Sequence, residues 1–175
     1  GARLFNAAVA QDVPIAALLD GVDTASICLS KGLGAPIGAV LVGDAQTIGR
    51  AFRLRKMLGG GMRQVGHTAA AALYGLDHHV DRLSTDHEHA RLIAKGFRQI
   101  DGLGVTQATN MVWLTPPAEH SEALAAHLLA DGILVCAWQP TMRIVTHLDV
   151  GPGHAEMLID SVRAFFEDIG QDGRP

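Results

Sequence analysis

The stretch Cys28-Leu29-Ser30-Lys31-Gly32-Leu33-Gly34-Ala35-Pro36 joins two apolar runs, residues 24–29 and 37–42, that are rich in β-branched side chains. These runs predict two buried strands. The glycines and the proline between them can continue neither a strand nor a helix, and glycine lets the backbone approach a ligand closely. The pattern therefore predicts two strands that flank a functional loop, with Lys31 near its start.

Lys31 is a candidate nucleophilic amine because apolar strands lie on both sides of its loop. An amine of this kind forms a Schiff base with an aldehyde cofactor. A surface lysine beside a structural glycine pair is the simpler alternative on composition alone. A phosphate-binding loop is a third interpretation, although the spacing G-x-x-x-x-G-K-[ST] is absent from the chain. The residues of the loop leave these alternatives open.

The rest of the chain predicts helices that alternate with short strands, which indicates a mixed α/β or α+β fold. Before Gly102, helical patterns cover residues 2–10, 14–19, 44–58, 68–76 and 80–100. After Gly102, strands are predicted over residues 111–114, 133–135 and 142–146, with helices over residues 118–130 and 154–168.

Three details of these helices are specific enough to test. Asp44 is predicted to cap the helix that follows it. The helix over residues 68–76 is apolar on nearly every side, which predicts that it is buried. The helix over residues 80–100 is amphipathic, and Asp86 is expected on its exposed face. Its apolar stripe consists of Leu83, Ala90, Ile93, Ala94 and Phe97.

Composition restricts the classes of protein that are possible. The 175 residues are 48% hydrophobic and 18% charged, which is typical of a globular core. The net charge is −4 and no basic patch stands out, so we expect no nucleic-acid partner. No apolar run approaches the ~20 residues of a membrane span, and no signal sequence is visible. Cys28 and Cys136 are expected to be buried, reduced thiols, which favours the cytoplasm.

Four stretches in one chain carry a resemblance to a known family. The Lys31 stretch resembles the cofactor-lysine segment of the low-specificity L-threonine aldolases. The other three resemble the same family in the same order: Gly1-Ala2-Arg3-Leu4, Arg55-Lys56-Met57-Leu58-Gly59-Gly60-Gly61-Met62-Arg63-Gln64 and Arg143-Ile144-Val145-Thr146-His147. Together they extend over nearly the whole chain.

The resemblance implies the fold of aspartate aminotransferases, which is the type I fold of enzymes that depend on pyridoxal 5′-phosphate (PLP). Residues 1–80 would then be part of the PLP-binding large α/β domain, residues 81–101 a long connecting helix, and residues 102–175 a small α+β C-terminal domain. The aspartate of the family's D-G-A-R motif would directly precede Gly1. We therefore expect that activity needs an N-terminal half, and that this fragment alone is inactive.

The resemblance also implies an activity, the cleavage of L-threonine, L-allo-threonine and other β-hydroxy-α-amino acids to glycine and an aldehyde. By this similarity Lys31 holds PLP as a Schiff base. Arg3 lies at the cofactor and, with Arg143, grips the substrate carboxylate. Arg63 would contact the cofactor phosphate and Lys56 the reacting groups of a neighbouring subunit, so the resemblance implies a homodimer or homotetramer.

Two other functions remain open at this point. One is a different PLP lyase of the same fold, which carries out β-elimination. The other is a non-catalytic dimerisation fragment. No metal is expected, because His87 and His89 lie on different faces of their helix. Trp138 is interpreted as packing in the core or at a domain interface.

Overall fold

The computed structural model describes residues 1–138 and 140–172, and the chain divides into two compact units. The first unit is Gly1–Ser84, and the second begins at Thr85. Each unit has its own apolar core. The mixture of helices and strands confirms the predicted α/β class. The assignment of residues 1–80, 81–101 and 102–175 to a large domain, a connecting helix and a small domain stays a prediction.

The first unit contains four helices and a two-stranded antiparallel ribbon. These elements are α1 (Leu4–Gln11), α2 (Ile15–Leu18), β1 (Thr24–Cys28), β2 (Ala39–Gly43), α3 (Ala45–Met57) and α4 (Gly66–His78). The ribbon confirms the two predicted strands, and Cys28 pairs with Ala39 at the end nearest the Lys31 loop. The prediction that both strands are buried is wrong, because a ribbon has no neighbouring strands: Val40 is 44% exposed and Leu41 is 42% exposed.

The core of the first unit lies beneath the Lys31 loop. Leu29, Leu33 and Ala35 of the loop are buried with Ala72 of α4. Phe5, Leu76 and Val80 pack against this cluster. The loop is therefore held in place by its own apolar side chains, since removing such side chains from water is the main driving force for packing.

Two predictions about the helices of the first unit had different outcomes. Asp44 caps α3 as predicted, because its carboxylate accepts a hydrogen bond of 2.9 Å from the Thr47 N–H. The predicted burial of α4 is wrong. Its buried residues are the small Ala72 and Gly75, which face the Lys31 loop, whereas Leu73 is 60% exposed.

The second unit is a four-stranded antiparallel sheet packed against helices. Its elements are α5 (Leu83–Phe97, which begins at the end of the first unit), β3 (Gly104–Ala108), β4 (Met111–Thr115), α6 (Ser121–Ala130), β5 (Cys136–Trp138), β6 (Thr141–Val145) and α7 (Pro152–Asp172). The strand order is β3-β4-β6-β5. Val112, Leu114 and Met142 of the central strands are fully buried among side chains of the three helices.

The long helix confirms its predicted apolar stripe, since all five of its side chains are at most 1% exposed. Asp86 was predicted to be exposed but is fully buried. Its backbone carbonyl accepts a hydrogen bond of 2.6 Å from the Thr146 hydroxyl, which ties the helix to the residue after β6. Periodicity alone missed this tertiary contact.

The sheet differs from the prediction at two strands. β3 was not predicted, because Gly104–Ala108 carries polar side chains and lacks a continuous apolar run. The strand predicted over residues 133–135 begins instead at Cys136. Ile133 and Val135 pack against the core, but the pairing with β6 starts only at Cys136 and Arg143.

Both cysteines are free, as predicted, but Cys136 is exposed and Cys28 only half-buried, so the predicted burial is wrong. The second unit brings Cys136 to the edge strand of the sheet, where no further strand covers it among the residues that the structure describes. Within those residues, every helix is too short or too polar to cross a membrane.

Gly96 lets α5 pack closely against α7. A Cβ atom at this position would lie 2.7 Å from Ile159 of α7. We therefore expect Gly96→Ala to lower the free energy of unfolding by about 1–3 kcal/mol through overpacking. Urea unfolding followed by circular dichroism measures this change.

Gly170→Ala in α7 is the matched control for this prediction. Among the described residues outside its own helical turn, no heavy atom lies within 4 Å of a Cβ at Gly170, so alanine should be neutral or slightly stabilising there through its higher helix propensity. Equal stability of the two variants would contradict the predicted close contact.

Candidate functional site

The Lys31 loop is a tight turn fixed by backbone hydrogen bonds. The Gly34 N–H donates to the Lys31 carbonyl at 2.8 Å, and the Ala35 N–H donates to the Leu29 carbonyl at 3.1 Å. Gly34 has a φ of 71°, a left-handed conformation that glycine adopts without strain. The Lys31 side chain is exposed, whereas Leu33 is only 2% exposed. The turn thus presents an amine to solvent from a fixed backbone.

A thiol lies beside the Lys31 amine, and a hydroxyl lies beside that thiol. The Lys31 Nζ donates to the Cys28 Sγ at 3.8 Å, and the Cys28 Sγ and the Ser30 Oγ are 3.4 Å apart. The hydrogen bond with the Ser30 side chain lowers the pKa of the Cys28 thiol, and the Lys31 charge lowers it further, whereas partial burial opposes both effects. The sequence alone indicated no functional role for Cys28, although it lies three positions before Lys31.

Helix α1 packs against the same turn. A Cβ atom at Gly32 would lie 3.1 Å from the Asn6 Oδ1 and 2.9 Å from the Leu83 Cδ2. Asn6 is buried, and Arg3, the residue before α1, precedes it by about one helical turn. The predicted site residue Arg3 therefore belongs to the helix end that adjoins the Lys31 turn.

A second turn carries Lys56 and Arg63. Helix α3 ends in a Schellman motif, in which the Gly60 N–H donates to the Arg55 carbonyl at 2.8 Å and Gly59 has a φ of 80°. The Lys56 side chain lies over Gly61, where a Cβ atom would be 2.4 Å from its Cδ. The triple glycine therefore lets Lys56 fold across the turn that leads to Arg63.

Lys56 and Arg63 are both exposed at the second turn. The roles assigned to Lys56 and Arg63 at a neighbouring subunit's site remain predictions.

Arg143 lies on β6 in the second unit, where it is half-buried. Its guanidinium carbon lies 4.5 Å from the centre of the Trp138 ring, and its Nη2 donates to the Cys136 Sγ at 3.7 Å. Its Nε is buried without a hydrogen-bond partner. Trp138 is 61% exposed and stacks on this arginine, so its expected place in the core is wrong, whereas a place at a domain interface stays a prediction.

A cavity of about 380 Å³ lies beside Arg143. Its lining is mostly apolar and includes Val135, Val145 and Met157, together with His147 and His154. An arginine at an apolar cavity suits recognition of a carboxylate, because the guanidinium fork forms two charge-assisted hydrogen bonds. Within residues 1–138 and 140–172, no three His, Cys, Asp or Glu side chains gather as metal ligands.

A solved structure and a family model show to which class of protein this chain belongs. The described chain has the fold of a solved threonine aldolase from Leishmania major, with a TM-score of 0.75 at 16% identity over 95% of this chain and 50% of that one. At this identity the likeness shows the fold alone. The family model for beta-eliminating lyases matches residues 1–117. The chain therefore belongs to the beta-eliminating lyase family.

Two curated relatives share much more of the sequence than the solved structure does. The chain is 43% identical to the low specificity L-threonine aldolase of Escherichia coli O157:H7, over 94% of this chain and 49% of the relative. It is also 43% identical to the low-specificity L-threonine aldolase 1 of Arabidopsis thaliana, over 84% of this chain and 43% of the relative. The chain spans about half the length of these relatives, and the resemblance read from its four stretches is confirmed.

The hydrogen bond between Ser30 and Cys28 leads to a pH-dependent prediction. A lowered pKa makes the Cys28 thiol ionise at lower pH, and the thiolate is the form that alkylating reagents attack. Ser30→Ala should therefore raise this pKa and shift the pH midpoint of Cys28 alkylation upward. Iodoacetamide labelling across pH, read by mass spectrometry of the Cys28 peptide, measures the midpoint.

The Cys136 peptide from the same digests is the internal control, since Ser30 lies far from it in the chain. A Cys28 midpoint that stays unchanged in Ser30→Ala would show that the hydroxyl does not stabilise the thiolate.

Proposed function

We propose that the protein containing this chain is a PLP-dependent lyase that cleaves β-hydroxy-α-amino acids such as L-threonine to glycine and an aldehyde. The observation that carries the proposal is the exposed Lys31 amine on a turn fixed by a buried core. Membership of the beta-eliminating lyase family and the names of the 43% identical relatives support it.

The residues around Lys31 fit an aldehyde cofactor. The amine is accessible and donates to the Cys28 thiol. Among the described residues, no carboxylate holds it in an ion pair. When bound, PLP supplies an aldehyde that bonds to an amine and a ring that takes up the electrons released at the substrate Cα. In this proposal Lys31 bonds to the aldehyde and Arg3 lies at the edge of the cofactor.

Arg143 is proposed to bind the substrate carboxylate together with Arg3. Stacking on Trp138 restricts the plane of the Arg143 guanidinium, and the buried Nε leaves the Nη edge for a ligand. Holding the carboxylate at a fixed angle sets the direction of the Cα–Cβ bond, which selects the bond that breaks. The removal of the β-hydroxyl proton is not assigned to a residue of this chain.

Lys56 and Arg63 are proposed to act across a subunit boundary in a homo-oligomer. Both are cationic and lie on either side of the triple-glycine turn, and both are exposed. Arg63 would bind the cofactor phosphate, which a guanidinium recognises with two parallel hydrogen bonds. Lys56 would approach the reacting groups. The free thiols of Cys28 and Cys136 support a reducing compartment such as the cytoplasm.

A β-eliminating lyase is the second candidate function. The family model that matches residues 1–117 carries this description, and Lys31 would hold the same cofactor. Product analysis separates the two reactions, because an aldolase releases glycine and an aldehyde, whereas a β-eliminating lyase releases ammonia and a keto acid. A protein that neither binds PLP nor forms either pair of products would instead be a dimerisation module.

Lys31→Ala tests the cofactor assignment. In the purified full-length protein we expect added PLP to give a visible absorption band that borohydride removes by fixing the cofactor to Lys31. The band should be lost in Lys31→Ala because no other amine occupies the turn. Mass spectrometry of the reduced protein should locate the modification on the Lys31 peptide.

Lys95→Ala is the matched control, since Lys95 is an exposed lysine of α5 in the second unit. It should keep both the band and the activity. A band that survives in Lys31→Ala would reject the proposed role of Lys31.

Arg143→Lys tests the proposed carboxylate site. Lysine keeps the charge but loses the planar fork. We expect kcat/KM for L-threonine to fall about 30-fold, which corresponds to roughly 2 kcal/mol, with the PLP absorption band unchanged. The exposed Arg98→Lys serves as control, and an unaltered kcat/KM in Arg143→Lys would place the carboxylate elsewhere.

A further inference from the structure

His79 bonds directly to the turn that carries Lys31. Its ring Nδ1 lies 2.7 Å from the Leu33 carbonyl oxygen, although the two residues are 46 positions apart in the chain. A carbonyl oxygen can only accept, so the Nδ1 carries the hydrogen and donates it. The backbone hydrogen bonds inside the turn use the Lys31 and Leu29 carbonyls. His79 therefore restrains the turn from outside, through a carbonyl that these bonds leave available.

Helix α4 approaches the same carbonyl at a second point. A Cβ atom at Gly75 would lie 2.7 Å from the Leu33 oxygen, so no side chain fits between the helix and the turn. The His79 N–H donates to the Gly75 carbonyl at 2.9 Å at the end of α4. Gly75 and His79, which lie one helical turn apart, therefore both adjoin the Leu33 oxygen. Gly75 leaves room for the close approach, and His79 donates the hydrogen bond.

The His79 ring is itself held in position. Tyr74 meets it edge to face, with ring centres 5.4 Å apart, an arrangement that aromatic rings favour. His79 is half-buried, and Leu33 is 2% exposed. Loss of the hydrogen bond from His79 would leave the Leu33 carbonyl without this donor. Its loss costs free energy, because water cannot readily replace a donor in these surroundings.

We propose that His79 is a positioning residue, whose hydrogen bond to Leu33 holds the turn in the conformation that presents the Lys31 amine to the cofactor. The inference rests on the proposed function of Lys31. His79 makes no contact with the amine itself in this scheme. It acts through two residues of backbone, by limiting how far the turn between Lys31 and Leu33 can shift.

The test compares two substitutions of His79 in the full-length protein with PLP. His79→Leu removes the donor, and we expect the Kd for PLP to rise about tenfold, or ~1.4 kcal/mol. The pH midpoint of the visible band should also shift, because the amine moves relative to Cys28. His79→Asn places an amide N–H near the site of the Nδ1 and should keep the Kd within about threefold of the unchanged protein.

Two further variants make the result specific. His78→Leu removes the adjacent histidine, whose ring contacts Tyr74 rather than the turn, and should leave the Kd and the band unchanged. Gly75→Ala pushes a methyl group against the Leu33 carbonyl and should reproduce the effect of His79→Leu. Hydrogen exchange at the Gly34 amide should accelerate in both His79→Leu and Gly75→Ala, whether or not cofactor is present.

Three outcomes would overturn the inference. His79→Leu could bind PLP like the unchanged protein, or His79→Asn could lose as much affinity as His79→Leu. His79→Leu could also lower the free energy of unfolding while the saturated band and its pH midpoint stay unchanged, which would indicate a purely structural role. If Lys31→Ala keeps the band, the proposed cofactor site fails first, and Gly34 exchange alone then reports whether His79 holds the turn.

Discussion

The burial of Leu29, Leu33 and Ala35 is the constraint on which the first unit depends. These side chains form the core with Ala72 of α4, and Lys31 lies between them in sequence but outside them in space. Full burial of a leucine contributes roughly 1.5–3 kcal/mol. The Lys31 amine is therefore attached to a backbone whose neighbouring side chains are buried, so it has a defined position while it stays exposed.

Small residues let other elements reach this backbone. Gly75 allows α4 to contact the Leu33 carbonyl, and Gly32 allows α1 to approach through Asn6. The polar groups that result are satisfied rather than buried without partners, as the bond from His79 to Leu33 shows. Both packing and hydrogen bonds therefore restrain the Lys31 turn. The chemistry proposed for Lys31 uses the rigidity that they create.

In the second unit, strand pairing and an aromatic ring hold Arg143 in position. Its backbone pairs with Trp113 on β4 and with Cys136 on β5, so the sheet fixes the position of its Cα. Stacking on Trp138 then fixes the plane of the guanidinium. A cation above an aromatic face gains about 0.5–1 kcal/mol when exposed. This contact restrains the plane of the guanidinium, and within residues 1–138 and 140–172 no carboxylate pairs with it that would compete with a carboxylate ligand.

Elements that depend on local chemistry could be predicted from the amino-acid sequence. The glycine and proline punctuation around Lys31 predicted its loop, Asp44 predicted the start of α3, and the stripe from Leu83 to Phe97 predicted α5. Burial and strand pairing depended on tertiary contacts, which the sequence pattern does not contain. Val40 is half-exposed because its strand belongs to a two-stranded ribbon, and His79 meets Leu33 across 46 positions. Periodicity reports which face of an element is apolar, whereas the neighbours that cover a face depend on contacts distant in sequence.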